Sequence, residues 1–275
     1  MPQSIHENTL FGHPKGLFLL FSSEMWERFS YYGMRALLVL FLTHGTLGDG
    51  FGWSSKEALQ LYGTYTMLVY FTPLIGGWLA DRYLGLRKAI IIGAVMMVFG
   101  HFLMAGPALV PKYIKNNSGV DVHKIMQESG VSLGHTIDES LASGKTVFET
   151  LEAHVASLPL APEEKQRYLK HTKNAYQWVS ATFYLALVLI IVGNGFFKPN
   201  ISTVVGRLYE PGDHRRDGGF TIFYMGINLG AFLGSLVAGG LGEKLGWHYG
   251  FSAAGLGMLC SLIGFVCLQN RYLGD

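Results

Sequence analysis

Charge and cysteine are what this sequence has least of. Of its 275 residues only 15% are Asp, Glu, Lys or Arg, while 49% are hydrophobic; soluble domains carry roughly a quarter charged residues. So little charge cannot coat a water-facing surface, and lipid is the solvent that such a chain fits. The formal net charge is only +2, and the basic residues stand in short clusters between apolar runs. That pattern offers no basic face for nucleic acid, and none is expected as a partner.

The two cysteines, Cys260 and Cys267, lie in one apolar run. Seven residues apart on a helix, they stand about 10 Å apart along its axis, too far to bridge. No disulfide framework follows, and packing is their expected role. His123, His135, His154 and His171 lack tight ligand spacing, so no metal is expected. Nor is there a nucleophile-base constellation, which argues against an enzyme, and no cofactor is expected. The first apolar run carries four charges and no small-residue cleavage site, so it does not read as a removable signal peptide.

What the sequence does have is long apolar runs. Six approach or exceed the roughly 20 residues that cross a ~30 Å hydrocarbon core, at about 15–43, 57–80, 88–107, 177–205, 217–241 and 249–269. Arg82, Arg87 and Lys88 cluster between the second and third, and Arg207, Arg215 and Arg216 between the fourth and fifth. The positive-inside bias places those loops and both termini on the cytoplasmic side. Residues 108–176 are polar, with acids and bases in balance, and read as an extracytoplasmic insertion, since loops longer than about 60 residues translocate largely regardless of charge. The expected organisation is an all-α membrane protein: helices one to three in 1–107, the insertion in 108–176, and helices four to six in 177–275, together one six-helix bundle.

Charge inside these runs is rare and therefore informative, because each central charge costs roughly 2.5–3.5 kcal/mol on insertion scales. The first run holds Glu24, Glu27, Arg28 and Arg35. At 100° per residue these four share one helix face with Tyr31 and Tyr32. Two acids and two bases on one face fit a wet cavity that titrates protons and binds an anion; a purely structural ion-pair network is the plainer alternative. In the fourth run Lys198 precedes Pro199. A lone buried lysine calls for a carboxylate, and Glu24 or Glu27 is the expected donor of one; snorkelling to water is the alternative. In the fifth run Gly226, Gly230, Gly234 and Ala238 recur every four residues, a small-residue packing seam, which turns Asn228 to the opposite, polar side. His101, alone in the third run, reads as hydrogen-bonded structure rather than a relay.

Four segments carry a family resemblance. Glu24-Met25-Trp26-Glu27-Arg28-Phe29-Ser30-Tyr31-Tyr32-Gly33 resembles the ExxER signature of the proton-dependent oligopeptide transporter family (POT, or PTR2), within the major facilitator superfamily. Gly76-Gly77-Trp78-Leu79-Ala80-Asp81-Arg82-Tyr83-Leu84-Gly85 resembles the superfamily motif between helices two and three, and Phe220 to Phe232 the family's fifth-helix signature. Phe197-Lys198-Pro199-Asn200 falls between them in the family's order.

The resemblance implies the N-terminal six-helix bundle of a superfamily transporter and proton-coupled symport of di- and tripeptides across the cytoplasmic membrane. It assigns Glu24, Glu27, Arg28 and Lys198 to proton coupling. Arg35 and Lys198 are expected to meet the peptide carboxylate, and Arg28, Tyr31, Tyr32, Tyr70 and Asn228 to line the pocket. Asp81 and Arg82 are expected to act in a cytoplasmic gate, joined by salt bridges with Arg87 and Lys88. Gly63 stands where some members carry a histidine, so coupling is expected to rest on the glutamates. The implied partners are peptides, protons, lipid and a C-terminal six-helix bundle that this chain does not contain. A transporter of nitrate or another small anion, and a non-transporting membrane scaffold, are the alternatives.

Overall fold

The computed structural model describes residues 9–44, 50–109, 118–119 and 147–274. Most of the expected insertion, with His123 and His135, lies outside the described residues.

A two-stranded hairpin, β1 (Thr9–Leu10) and β2 (His13–Pro14), leads directly into α1 (Lys15–Thr43). The last carbonyls of α1 are met by the returning chain: Phe51, Gly52 and Trp53 N–H donate to Phe41, His44 and Leu42 carbonyls at 3.2, 2.7 and 2.8 Å. That satisfies a helix end that would otherwise face an apolar surround. Next, α2 (Ser55–Leu79) starts on a capping box. Glu57 N–H donates to Ser54 Oγ at 3.3 Å while Ser54 N–H donates to the Glu57 carboxylate at 3.1 Å, two orphan donors satisfied reciprocally.

A π-helical turn, Ala80–Leu84, closes α2, and Gly85 at φ 78° starts α3 (Leu86–Ala105). The left-handed backbone there favours glycine, and Gly85 N–H reaches back to Ala80 O at 2.8 Å. After α4 (Val147–Ser157) comes α5 (Pro162–Arg207), 46 residues long. Then α6 (Arg216–Gly234) runs through a π turn, Ser235–Gly239, into α7 (Gly240–Leu245), and α8 (Trp247–Tyr272) follows Gly246.

Among the described residues four stretches are long and apolar enough to cross a membrane: Leu86–Ala105, Pro162–Arg207, Arg216–Leu245 and Trp247–Tyr272. α1 and α2 have the length, at 29 and 25 residues, but α1 carries the charges described above and α2 is more polar. One helix runs unbroken across residue 176, where the insertion was expected to meet the fourth span. Pro162 sits at its first turn beside Glu163 and Glu164, and no glycine interrupts it before Gly193. At ~1.5 Å per residue the helix is about 69 Å long, about twice a hydrocarbon core.

Packing is governed by small residues. α1 lies against α6 and α8, α3 against α5 and α8, and α2 against α5. The expected glycine seam is the α1–α6 contact: a Cβ at Gly226 would lie 3.0 Å from Phe21 O, and one at Gly230 or Gly234 would collide with Met25 O or Phe29 O. Three glycines four apart thus meet three α1 carbonyls four apart, the arrangement that lets backbones touch. Gly93 and Gly193 do the same between α3 and α5.

Two apolar clusters fill the bundle, one around Phe41, Phe183 and Phe251, the other around Leu20, Met97 and Phe265. Between them lies a buried belt of Ser23, Glu24, Glu27, Arg28, Ser30, His101 and Asn194. Cys260 and Cys267 depart from expectation: both are exposed on the outer face of α8. Seven residues place them on one helical face, and that face points away from the bundle.

Candidate functional site

The buried belt is organised by α1. Glu24 and Glu27 are each 1% exposed and Arg28 is 3% exposed. Arg28 Nε pairs with Glu24 Oε1 at 3.2 Å and donates to Glu27 Oε2. One turn of helix therefore holds two carboxylates on one guanidinium, a charge-assisted arrangement in a dry setting. From α5, the Asn194 side-chain amide donates to Glu27 Oε1 at 3.1 Å. The Arg28 guanidinium also lies 5.1 Å from the centre of the Tyr31 ring.

Around this triad several buried polar atoms have no partner among the described residues: Glu24 Oε2, Arg28 Nη2, Tyr31 OH, Tyr65 OH, Thr66 Oγ1 and Asn194 Oδ1. Buried polar atoms are nearly always paired. So many idle ones in one neighbourhood suit a site that takes water or a polar ligand.

A second tier sits toward α2. Arg35 donates to Tyr62 OH and stacks on that ring at 5.1 Å. Tyr31 packs edge-on against Tyr32 and stacks on Tyr65, with centroids 5.1 and 6.4 Å apart. Lys198 places its ammonium 4.7 Å from the centre of the Tyr70 ring. The lysine follows from local structure: Pro199 cannot donate to the helix ladder. The polar side chains beside it bond the backbone, Asn200 to Phe196 O at 2.6 Å and Thr203 to Pro199 O at 2.9 Å.

The expected pairing of Lys198 with Glu24 or Glu27 is not what the structure has. Arg28, on the same helix as both acids, takes them, and among the described residues Lys198 has no ion pair. Glu24 lies one turn from Arg28 on α1, the spacing at which side chains meet, and Glu27 is the chain neighbour of Arg28, whereas Lys198 must span from α5.

The chain matches the model of the POT family over residues 87–273. It belongs to that family. Among curated relatives it is 34% identical over 261 residues to a di-/tripeptide transporter of Lactococcus lactis, covering 94% of this chain and 38% of the relative. It is 35% identical over 257 residues to the peptide transporter YePEPT of Yersinia enterocolitica, covering 94% and 37%. It superposes on a crystal structure of a peptide transporter POT in complex with sulfate with a TM-score of 0.69 and 36% identity, covering 97% of this chain and 40% of that one. A POT family transporter in complex with 5-aminolevulinic acid gives 0.68 and 29%, covering 99% and 42%. The chain therefore spans about two fifths of the length of these POT proteins.

As a POT member the protein is a multi-pass membrane protein, and the remaining expected residues can be located on it. Asn228 lies exposed on α6, away from the glycine seam, and Tyr70 is 57% exposed on α2. Asp81 and Arg82 are exposed in the π-helical turn, with Arg82 over the Tyr83 ring at 5.8 Å. Among the described residues neither has an ion pair. Arg87, expected to join them, instead donates to Leu273 O at 2.8 Å and to Gly274 O, tying the start of α3 to the end of α8. Gly63 faces open space. His101 is buried, but among the described residues its Nδ1 has no partner, so the hydrogen-bonded role expected of it is not what the structure has.

The sequence reading missed Tyr62, Tyr65 and Asn194. The signals were present: Tyr62, Thr66 and Tyr70 recur every four residues on α2, and Asn194 stands one turn before Lys198 on α5. Polar residues at helical spacing in an apolar run mark one face.

Outside the membrane-spanning helices, the α5–α6 loop is tied down by charge. Arg215 bonds Asp213 through its guanidinium at 2.7 Å and its backbone N–H at 2.9 Å, which holds the Asp213 carboxyl down at about 2. The same Arg215 donates to Gly12 O at 3.0 Å, and His13 Nδ1 shares a 2.8 Å hydrogen bond with Tyr209 OH, so the hairpin before α1 is anchored on this loop.

Proposed function

We propose that this chain is the N-terminal bundle of a proton-coupled symporter of di- and tripeptides in the cytoplasmic membrane, with both ends of the bundle on the cytoplasmic side. The observation that carries the reading is the buried Glu24–Arg28–Glu27 triad with Arg35 and Lys198 beside it. Two acids able to take protons adjoin two cations with no carboxylate of their own among the described residues. The names of the relatives, peptide transporters in Lactococcus lactis and Yersinia enterocolitica, point to the same substrate class.

A peptide presents one carboxylate, one ammonium and its amides whatever its side chains are. Arg35 and Lys198 suit the carboxylate, and Tyr31, Tyr32, Tyr70 and Asn228 suit the amides. Protonating Glu24 or Glu27 removes negative charge next to Arg28 and leaves the local cations in excess, which favours an incoming carboxylate. Losing the proton reverses that balance and favours release. Proton and substrate thereby stabilise the same charge state, the physical requirement for coupling. The exposed apolar face of α2, with Met67, Phe71, Leu74 and Trp78, and that of α6, with Met225 and Phe232, suit a second bundle. The fold of such transporters rocks two bundles about a midplane site. In this reading Asp81, Arg82 and the Arg87 tie belong to the cytoplasmic gate.

The test is dialanine uptake by the intact transporter in liposomes under an inward proton gradient. Lys198→Ala is expected to abolish uptake through loss of substrate binding. Glu27→Gln is expected to abolish gradient-driven uptake while leaving exchange of internal for external dialanine. Full gradient-driven uptake in both variants would overturn the reading.

A further inference from the structure

Asn194 is the least expected member of the buried belt. It is fully buried on α5, and its position is fixed on both sides by the backbone. A Cβ at Gly193 would lie 2.7 Å from Gly93 O, and one at Gly195 would lie 2.8 Å from the Thr72 side chain, so α5 cannot slide there against α3 or α2. Its amide donates to Glu27 Oε1 at 3.1 Å, yet its own carbonyl Oδ1 has no partner among the described residues. A residue kept only for stability would not leave a buried acceptor idle in an apolar helix, because an unmatched polar group costs more than an apolar one of the same shape.

The chemistry of the amide accounts for both ends. An ionised carboxylate only accepts hydrogen bonds, whereas a protonated one must also donate. Arg28, which holds Glu27, only donates and serves the ionised form alone. Lys198 from α5 likewise only donates. Glu24 gives Oε1 to Arg28, and its Oε2 makes no bond to Glu27. Tyr31 and Tyr65 have idle hydroxyls but no bond to Glu27. His101 from α3 is not bonded to Glu27, and on α8 the Ser261 hydroxyl is spent on Ser23 O at 2.8 Å. An amide alone among the groups bonded to Glu27 can serve both forms, donating through Nδ2 and, after a half-turn of the amide, accepting through Oδ1.

We propose that Asn194 is a positioning residue that partners Glu27 in both its ionised and its protonated state, so that Glu27 exchanges protons without losing the hydrogen bond from α5. The inference rests on the proton-coupling reading above. The two sides balance simply: the entering proton forms an O–H bond on Glu27, the amide turns so that this O–H donates to Asn194 Oδ1 in place of the Nδ2–H bond to Oε1, and no other covalent bond forms or breaks.

The experiment compares Asn194→Leu, which has the same size and no hydrogen bond, Asn194→Ala, and Asn194→Ser, whose hydroxyl both donates and accepts, in the intact transporter in liposomes. Gradient-driven dialanine uptake is expected to fall about ten-fold or more in the leucine and alanine variants, the loss of one charged-group hydrogen bond. Exchange of dialanine, which needs no proton cycle, is expected to fall far less. The serine variant is expected to recover most driven uptake, and the pH profile of uptake to flatten in leucine and alanine but not in serine. Equal losses of driven uptake and exchange in all three variants would mean a packing role and overturn the proposal, as would unchanged driven uptake in leucine and alanine. Glu27→Gln separates the two levels: if it keeps full driven uptake, the coupling reading falls and takes this inference with it. If it loses driven uptake while the Asn194 variants do not, only this inference falls.

Discussion

α1 and α2 both contribute to the candidate site, yet they are held in opposite ways. α1 is enclosed: seventeen of its 29 residues are buried, including every charge before Arg35 except Lys15, and α6 and α8 press on it with glycines. α2 buries only Ala58, Tyr65, Val69 and Gly76 and turns a broad apolar face outward. The buried charges thus sit on the enclosed helix, where neighbours fix their geometry. Tyr70, proposed above to meet substrate, sits on the loosely held one. A helix whose face is unmet within its own bundle is free to move against a second bundle, whereas one wedged by carbonyl-to-glycine contacts is not.

The largest break in that contrast is expected at Gly230. A leucine there would drive a side chain into the Met25 carbonyl and the Arg28 side chain, forcing α6 away from α1. Overpacking alone costs about 1–3 kcal/mol, and here the backbones themselves would have to separate. Gly230→Leu is expected to give no correctly folded transporter by size-exclusion chromatography. Gly63→Leu, on the open face of α2, is expected to give a normally folded bundle. Equal behaviour of the two would mean that the α1 seam is no tighter than the α2 face.

Arg28→Met comes next. It strands two carboxylates that are each 1% exposed, and removing one partner of a buried pair costs about 3–5 kcal/mol. Melting temperature in detergent is expected to fall steeply at neutral pH and to recover in part in acid, where protonation removes the stranded charge. A triple variant, Glu24→Leu, Glu27→Leu and Arg28→Met, is expected to melt no lower than the parent while losing driven uptake. If instead the triple variant is unstable and Arg28→Met is not, the triad holds the fold rather than serving transport.

Much of α1 was legible in the sequence. The 100° step put Glu24, Glu27, Arg28, Tyr31, Tyr32 and Arg35 on one face, and all six are buried or half-buried. The every-fourth glycines of α6 likewise announced their seam. What periodicity did not supply was the partner across a gap. It set Lys198 deep in an apolar run and called for Glu24 or Glu27 as its partner, whereas the ammonium lies over the Tyr70 ring and Arg28 holds both acids. The same limit hid Asn194 and Tyr62, whose importance lies in contacts with another helix. The cysteines fell on the outer side for a related reason, since in an apolar run lipid-facing and core-facing positions have the same composition. The length of α5 was missed because polar residues 162–176 resemble a loop in composition, although Pro162 at the first turn and the long glycine-free stretch both argue for helix.

The smallest effect should come from the point where the rigid and the loose helix touch. Tyr62 OH on α2 accepts from Arg35 on α1, and the guanidinium lies over the same ring. Tyr62→Phe removes the hydroxyl and keeps the ring, so the cation–π contact survives and about 1–1.5 kcal/mol is lost with the hydrogen bond. Freed of that partner, Arg35 has its Nε donor open for a peptide carboxylate. The expected outcome is a slightly lower melting temperature together with a KM for dialanine that is unchanged or lower, by up to about ten-fold if the whole of that hydrogen bond competes with substrate. A raised KM would mean that Tyr62 holds Arg35 in the pose that binds substrate, and that α2 is a fixed part of the site rather than the loosely held helix its exposed face describes.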